Sequence, residues 1–217
     1  MTDPQLTHLY FLLDRSGSME SIKADTEGGF DAFIREQRAL PGACQVTLVQ
    51  FDTDYELVYA ARPIAQVPPL TLHPRGSTAL LDAMGRLITE TGERLAGMDE
   101  AQRPGTVVVG IMTDGEENAS REWTHAAIKA LVERQTRDYG WQFLYLGADQ
   151  DAIEVGARLG VAAEQSITYG RGAVAPAMAS WSANVGAYRS AKAAGLSEEA
   201  AAAALGFTPK QRRASRG

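Results

Sequence analysis

Hydrophobic positions along the chain fall into short continuous runs and into longer segments with helical spacing, and the two kinds alternate. His8 to Leu13 is an apolar run that stops at Asp14, the pattern of a parallel strand buried on both faces. Ser21 to Arg38 follows with Ile22, Phe30, Phe33 and Ile34 on one side and reads as a helix. Gly28 and Gly29 inside it cost about 1 kcal/mol each relative to Ala, which close packing on a sheet would rationalise. Pro41 and Gly42 end that unit. Val46 to Phe51 and Tyr55 to Ala60 read as two more strands joined by Asp52-Thr53-Asp54. So short a link permits only an antiparallel hairpin.

After a proline-containing loop from Pro63 to Pro74, Leu81, Met84, Ile88, Thr91 and Leu95 recur at spacings of 3, 4, 3 and 4. They predict a helix over Thr78 to Leu95. Thr106 to Met112 is a strand, Arg121 to Arg137 a helix, Trp141 to Leu146 a strand, Asp149 to Leu159 a short helix and Gln165 to Tyr169 a last strand. Val174, Met178, Trp181, Val185 and Tyr188 mark the apolar stripe of a further helix, with Pro176 tolerated in its first turn. Strands alternating with covering helices predict a three-layer, Rossmann-like α/β fold with a mostly parallel central sheet, one antiparallel edge strand and helices on both faces.

In such folds ligands bind beyond the carboxyl ends of the strands. Three polar segments should meet there: Asp14-Arg15-Ser16-Gly17-Ser18 after the first strand, Arg75-Gly76-Ser77-Thr78 before a helix, and Thr113-Asp114-Gly115 after the strand ending at Met112. They bring two carboxylates and several hydroxyls, with no His or Cys among them; His73, in the loop before Thr78, reads as a polar loop histidine with no metal role. Hard oxygen donors select Mg²⁺, Mn²⁺ or Ca²⁺ over zinc or copper. Taken singly, each segment also has a plain reading: Asp14 as a turn residue, Ser18 or Thr78 as a helix N-cap, Asp114-Gly115 as a common turn.

Together, and in this order, Asp14-x-Ser16-x-Ser18, Thr78 and Thr113-Asp114-Gly115 resemble the metal-ion-dependent adhesion site of von Willebrand factor A domains, including integrin I-like ones. The resemblance covers about Thr7 to Lys192. It implies that Ser16, Ser18 and Thr78 ligate a metal, Mg²⁺ first and Mn²⁺ or Ca²⁺ as alternatives, while Asp14 and Asp114 act through bound waters and hydrogen bonds. It also implies a partner protein whose Glu or Asp completes the coordination. A cation held by neutral hydroxyls keeps most of its charge and gains from an incoming carboxylate. A stand-alone, intracellular, prokaryotic-type module is expected, non-enzymatic, an adaptor or subunit of a larger complex; such relatives often partner with AAA+ ATPases, chelatases, or stress-response and resistance systems.

The competing class is a metal-dependent hydrolase or phosphotransferase at the same edge. Ser16 stands where a phosphoaspartyl hydrolase wants a second Asp, the Arg75–Thr78 segment lacks the Walker lysine, and Asp14 to Ser18 is no nucleophile elbow. Glu116 remains as a candidate general base, and a receiver-like Asp52 is a weaker third option. Glu116, Glu117, Asp52, Asp54 and Glu56 otherwise read as solvated acids.

Composition adds boundaries. The 217 residues carry a formal charge of −6 and 45% apolar residues, enough for a real core. Cys44, the single cysteine, excludes an intrachain disulfide and reads as a buried thiol. The polar start without basic residues, and the short run Leu9 to Leu13, suggest neither signal core nor membrane span, so a cytoplasmic protein is expected. Division into an A domain over 1–192 and a short helix with a basic tail over 193–217 is expected, with Ser197 as N-cap. Lys210, Arg212, Arg213 and Arg216 make the tail cationic. It reads first as a frayed, solvated terminus and secondarily as a docking segment for an acidic partner or nucleic acid.

Overall fold

The computed structural model describes residues 2–217. Its strands are β1 (Asp3–Asp14), β2 (Ala43–Phe51), β3 (Tyr55–Pro63), β4 (Pro104–Thr113), β5 (Gln142–Ala148) and β6 (Ser166–Tyr169). The helices are α1 (Lys23–Arg38), α2 (Leu80–Ala96), α3 (His125–Tyr139), α4 (Ala152–Arg158), α5 (Val174–Ala193), α6 (Glu198–Ala202) and α7 (Pro209–Ala214). The strands form one sheet in the order β3-β2-β1-β4-β5-β6. Every pairing is parallel except β2 with β3. β1 is flanked by β2 on one side and β4 on the other, so the connections leaving β1 and β4 diverge to opposite faces. This is the topological switch point, and it opens a crevice at the carboxyl ends of those two strands.

Strand alternation divides the core. Leu9, Phe11 and Leu13 of β1 face α1 and α5, where Phe30, Phe33, Trp181, Val185 and Tyr188 are buried. Tyr10 and Leu12 face the other way, onto Leu81, Met84 and Ile88 of α2 and Ile128 and Val132 of α3. On the first face Phe11, Phe30, Phe33 and Trp181 form an aromatic cluster with ring centroids 4.8–5.0 Å apart. Trp181 reaches across the sheet because β4 offers Gly110 there: a Cβ on Gly110 would lie 1.7 Å from the indole ring. Of the two α1 glycines, Gly29 is explained by close packing, with a would-be Cβ 2.9 Å from Met178, whereas Gly28 meets nothing within 4 Å.

Several element starts differ from the sequence reading. α2 begins at Leu80, not Thr78, and α3 at His125, not Arg121. The first donors of α2 are taken by distant groups, Glu117 Oε2 accepting from Leu81 N–H and Ser120 Oγ from Asp82 N–H; ahead of α3, Asp82 accepts from the backbones of Arg121, Glu122 and Trp123 and holds them out of the helix, which Thr124 then caps through Ala127 N–H. Both starts are set by tertiary bonds that local patterns do not encode, although the cap of α3 itself is local. β1 likewise extends back to Asp3, and a 3-10 turn over Gly17–Ile22 precedes α1.

The basic tail is docked rather than frayed. Leu205 and Phe207 are buried in the α1–α5 core. Arg212 donates to the carbonyls of Ser166 (2.6 Å) and Ala163 (2.7 Å), and Ser215 Oγ to that of Thr168 (2.8 Å). Ser197 caps α6 through Ala200 N–H. Cys44 is buried, which pushes its thiol up to about 11. Among the described residues no helix is long and apolar enough to cross a membrane.

Candidate metal centre

The five residues singled out in the sequence converge in the crevice between β1 and β4. Asp14 ends β1 and is fully buried. Its Oδ1 accepts from Ser16 N–H (2.6 Å), which folds the loop back over the strand end, and its Oδ2 accepts from Thr113 Oγ1 at the end of β4 (2.6 Å). The turn brings the Ser16 and Ser18 hydroxyls to 3.1 Å from each other, and Ser18 Oγ donates to Asp114 Oδ1 (2.6 Å). Neither Ser16 nor Ser18 caps a helix through its side chain. The N-cap of α2 is Ala79, so Thr78 is not a cap either, and its side chain is buried beside the same cluster. A methyl placed on Gly115 would lie 3.0 Å from Thr78 Oγ1, 3.6 Å from Ser18 Oγ and 4.0 Å from Asp14 Oδ2. Glycine there leaves a small cradle lined by oxygen.

Neighbouring loops hold these groups in place. Thr78 is bracketed by Asn118, which accepts from Thr78 N–H through Oδ1 (3.0 Å) and donates its own N–H to the Thr78 carbonyl (3.1 Å). Gly17 N–H donates to the Gly76 carbonyl (3.2 Å) and Arg75 N–H to the Arg15 carbonyl (2.8 Å), joining the Ser16–Ser18 loop to the segment before Thr78. Asp52, at the end of β2, anchors both loops: it accepts from Arg15 Nε (2.8 Å) and Arg75 Nε (2.9 Å), while its carbonyl accepts from Ala79 N–H (2.9 Å). Burial works against the Asp52 charge, but the Asp54 N–H, Arg75 and Arg15 outweigh it and hold the carboxyl below its usual range. Asp52 is therefore a buried anchor, not the solvated acid its sequence setting suggested. Glu117 is likewise committed, to the start of α2 and to Ala119 and Ser120. Glu116 is exposed, and so is His73.

The electrostatics are those of a site short of positive charge. Burial pushes the Asp14 carboxyl up from 3.8 to about 6, and the Asp114 charge adds to this; hydrogen bonds from Thr113 and Ser16 act the other way. Asp114 Oδ2 is buried and receives no hydrogen bond; Arg171 Nη1 stands 3.0 Å away as a charge neighbour. A buried carboxylate oxygen without a hydrogen bond is costly. Two carboxylates, one of which keeps an oxygen free of hydrogen bonds, and three hydroxyls fit a hard divalent cation. No group of three or more His, Cys, Asp or Glu gathers among the described residues, so any metal here depends on the hydroxyls.

Arg171, Asn118 and Asp52 are the contributors that sequence reasoning missed. Two of them had a readable signal. Asp52 follows β2 just as Asp14 ends β1, its parallel neighbour in register with Phe51, and Arg171 lies two residues past Tyr169, where β6 ends at the same sheet edge.

No family model matches the sequence, and no curated protein matches it. Solved structures do. Proximal thread matrix protein 1 from the mussel byssus aligns over 82% of this chain and 46% of its own, with a TM-score of 0.55 and 16% identity. The chain has the von Willebrand factor A fold. A second structure of the mussel protein, described as having a zinc-occupied MIDAS motif, aligns over 80% of this chain and 46% of its own (TM-score 0.56, 14% identity). A von Willebrand factor type A protein from Catenulispora acidiphila covers 92% of this chain and 42% of its own (TM-score 0.52, 14% identity). The chain thus spans less than half the length of each of these structures, and at such identities the likeness is one of fold.

Proposed function

We propose that this chain is a divalent-cation-dependent protein-binding module, in which Ser16, Ser18 and Thr78 supply hydroxyl ligands and Asp14 and Asp114 balance the charge from behind them. The observation that carries the reading is the buried, hydrogen-bond-free Asp114 Oδ2 beside a cradle of oxygens that only glycine at 115 leaves open. The zinc described at the corresponding motif of the mussel protein supports a metal here in general. The preferred metal is Mg²⁺, with Mn²⁺ or Ca²⁺ as alternatives, because every donor is a hard oxygen. When bound, the cation would supply a positive charge for an acidic side chain of a partner protein to complete.

The module is non-enzymatic and works in the cytoplasm as an adaptor or as a subunit of a larger assembly, such as one built on an AAA+ ATPase or a stress or resistance system. The site's own bonding supports a binding role. The serine hydroxyls bond to each other and to Asp114, with no imidazole among their partners. His8 lies toward the other end of β1, tied to Thr47 and Tyr10. The domain proper is residues 1–192, with 193–217 as its docked appendage.

Titration calorimetry with Mg²⁺ and Mn²⁺ tests the site: one bound ion is expected in the wild type and none in Ser16→Ala. Binding unchanged in that variant would overturn it. Affinity capture with Mg²⁺ or with EDTA tests the mode of recognition, and a partner retained equally in EDTA would remove the role of the metal.

A further inference from the structure

Arg171 occupies an unusual place. It opens the 3-10 turn Arg171–Ala173 that leads from β6 into α5, and it reaches back across the crevice. Nη1 lies 3.0 Å from Asp114 Oδ2, donates to Ser21 Oγ (2.6 Å) and to the Ser18 carbonyl (3.2 Å), and Nε donates to Asp149 (3.1 Å). One guanidinium thus holds the loop carrying Ser18, the Asp114 carboxylate and the loop after β5. Asp114 Oδ2 is fully buried, whereas the Arg171 side chain is about 40% exposed. The arginine is a lid on a carboxylate oxygen that has no hydrogen bond, while its twin, Oδ1, accepts from Ser18.

We propose that Arg171 is an internal cation that competes with the metal for Asp114 and so sets how tightly this site loads; the inference rests on the metal-binding reading above. Two positive charges close to one buried carboxylate repel each other, so loading requires the guanidinium to leave Asp114. Asp149 offers it a place to remain. Its contact is through Nε and its carboxylate is half exposed, so the arginine can swing outward without losing every partner. Asp114 is thereby kept charge-paired in the metal-free site, and the energy lost in breaking the Arg171–Asp114 pair is subtracted from metal affinity.

Calorimetric titration of metal-free protein with Mn²⁺ tests this in wild type, Arg171→Gln, Ser21→Ala and Ser16→Ala. Arg171→Gln should bind Mn²⁺ about ten-fold more tightly than wild type. Ser21→Ala changes no charge but loosens the hold on Nη1, and should shift affinity in the same direction by a smaller factor. In EDTA the Arg171→Gln protein should melt lower than wild type, and its rise on adding Mn²⁺ should be larger. A merely structural arginine would lower both. Equal or weaker affinity in Arg171→Gln, with binding still lost in Ser16→Ala, overturns the competition alone. Tightening in Arg171→Gln with none in Ser21→Ala assigns the effect to long-range charge and also overturns it. Absence of Mn²⁺ binding in every protein removes the metal site, and the inference with it.

Discussion

Asp14→Asn separates what the site costs from what it does. In the metal-free protein Asp14 is a buried carboxylate whose pKa stands at about 6 against an ordinary 3.8. At neutral pH the difference corresponds to about 3 kcal/mol of stability forgone by keeping it ionised. Asparagine is nearly isosteric and can keep both hydrogen bonds. Its carbonyl accepts from Ser16 N–H, and its amide can donate to Thr113 Oγ1, whose own hydroxyl then turns to the Gly115 carbonyl 3.1 Å away. The variant should therefore be more stable than wild type in EDTA near neutral pH, by up to about 3 kcal/mol, or roughly 6–12 °C in melting temperature for a chain this long. The sign with pH follows from linkage. Between about 6 and 3.8 the native wild type binds a proton that the unfolded chain does not, so wild type gains on the variant as pH falls through about 6, and the two converge near 4. Urea and thermal melts in EDTA across this range, repeated with Mg²⁺ near neutral pH, measure both parts. Wild type should rise with Mg²⁺ and the variant should not. A variant less stable than wild type in EDTA at neutral pH, with the two curves parallel as pH falls, would refute the electrostatic argument.

Gly115→Ala sets a methyl 3.0 Å from Thr78 Oγ1 with no positive φ to strain; calorimetry should show at least about ten-fold weaker Mg²⁺ binding, while urea melts in EDTA move by less than about 1 kcal/mol. Gly110→Ala places its methyl 1.7 Å from the Trp181 ring at the centre of the α5 face, and should destabilise by about 3 kcal/mol or more in urea melts. His8 is buried between Thr47, Tyr10 and Arg94, and burial, helped by the arginine charge, holds its pKa down from 6.5 to about 3. The unfolded chain takes up a proton below 6.5 that the native ring refuses, so His8 should cost about 2 kcal/mol of stability between pH 6.5 and 5; the difference between wild type and His8→Gln in urea melts, followed over that range, measures it.

Fold and site were legible to different depths for physical reasons. The two periodicities, continuous runs such as Leu9 to Leu13 and the helical stripe from Leu81 to Leu95, report burial directly, and burial is what the sheet and its covering helices are made of. The short Asp52–Asp54 link fixed the antiparallel edge in the same local way. The start of α2 was misplaced because its caps are tertiary: nothing near Leu80 in sequence announces that Glu117 and Ser120 will take the N–H groups of Leu81 and Asp82. Side chains that hold the site in place were hidden for the same reason. Asp52 looked solvated because its partners Arg15 and Arg75 lie 37 and 23 residues away.

The docked tail shows the limit from the other side, since four cations without an acid are what a solvated terminus looks like in sequence. Here Arg212 turns its donors onto backbone carbonyls at the start of β6, and Ser215 both donates to Thr168 and accepts at its own carbonyl from Gly170 N–H (2.8 Å). Gly170 immediately precedes Arg171, so the tail fastens the residue beside the proposed competitor of the metal. The tail and the β1–β4 crevice are therefore parts of one bonded edge of the sheet: loosening Ser215 would loosen the backbone from which the guanidinium reaches Asp114. Ser215→Ala keeps every charge, so tighter Mn²⁺ binding in that variant would tie the tail to the site through the position of Arg171, whereas unchanged affinity would confine the tail to holding β6 and α5 together.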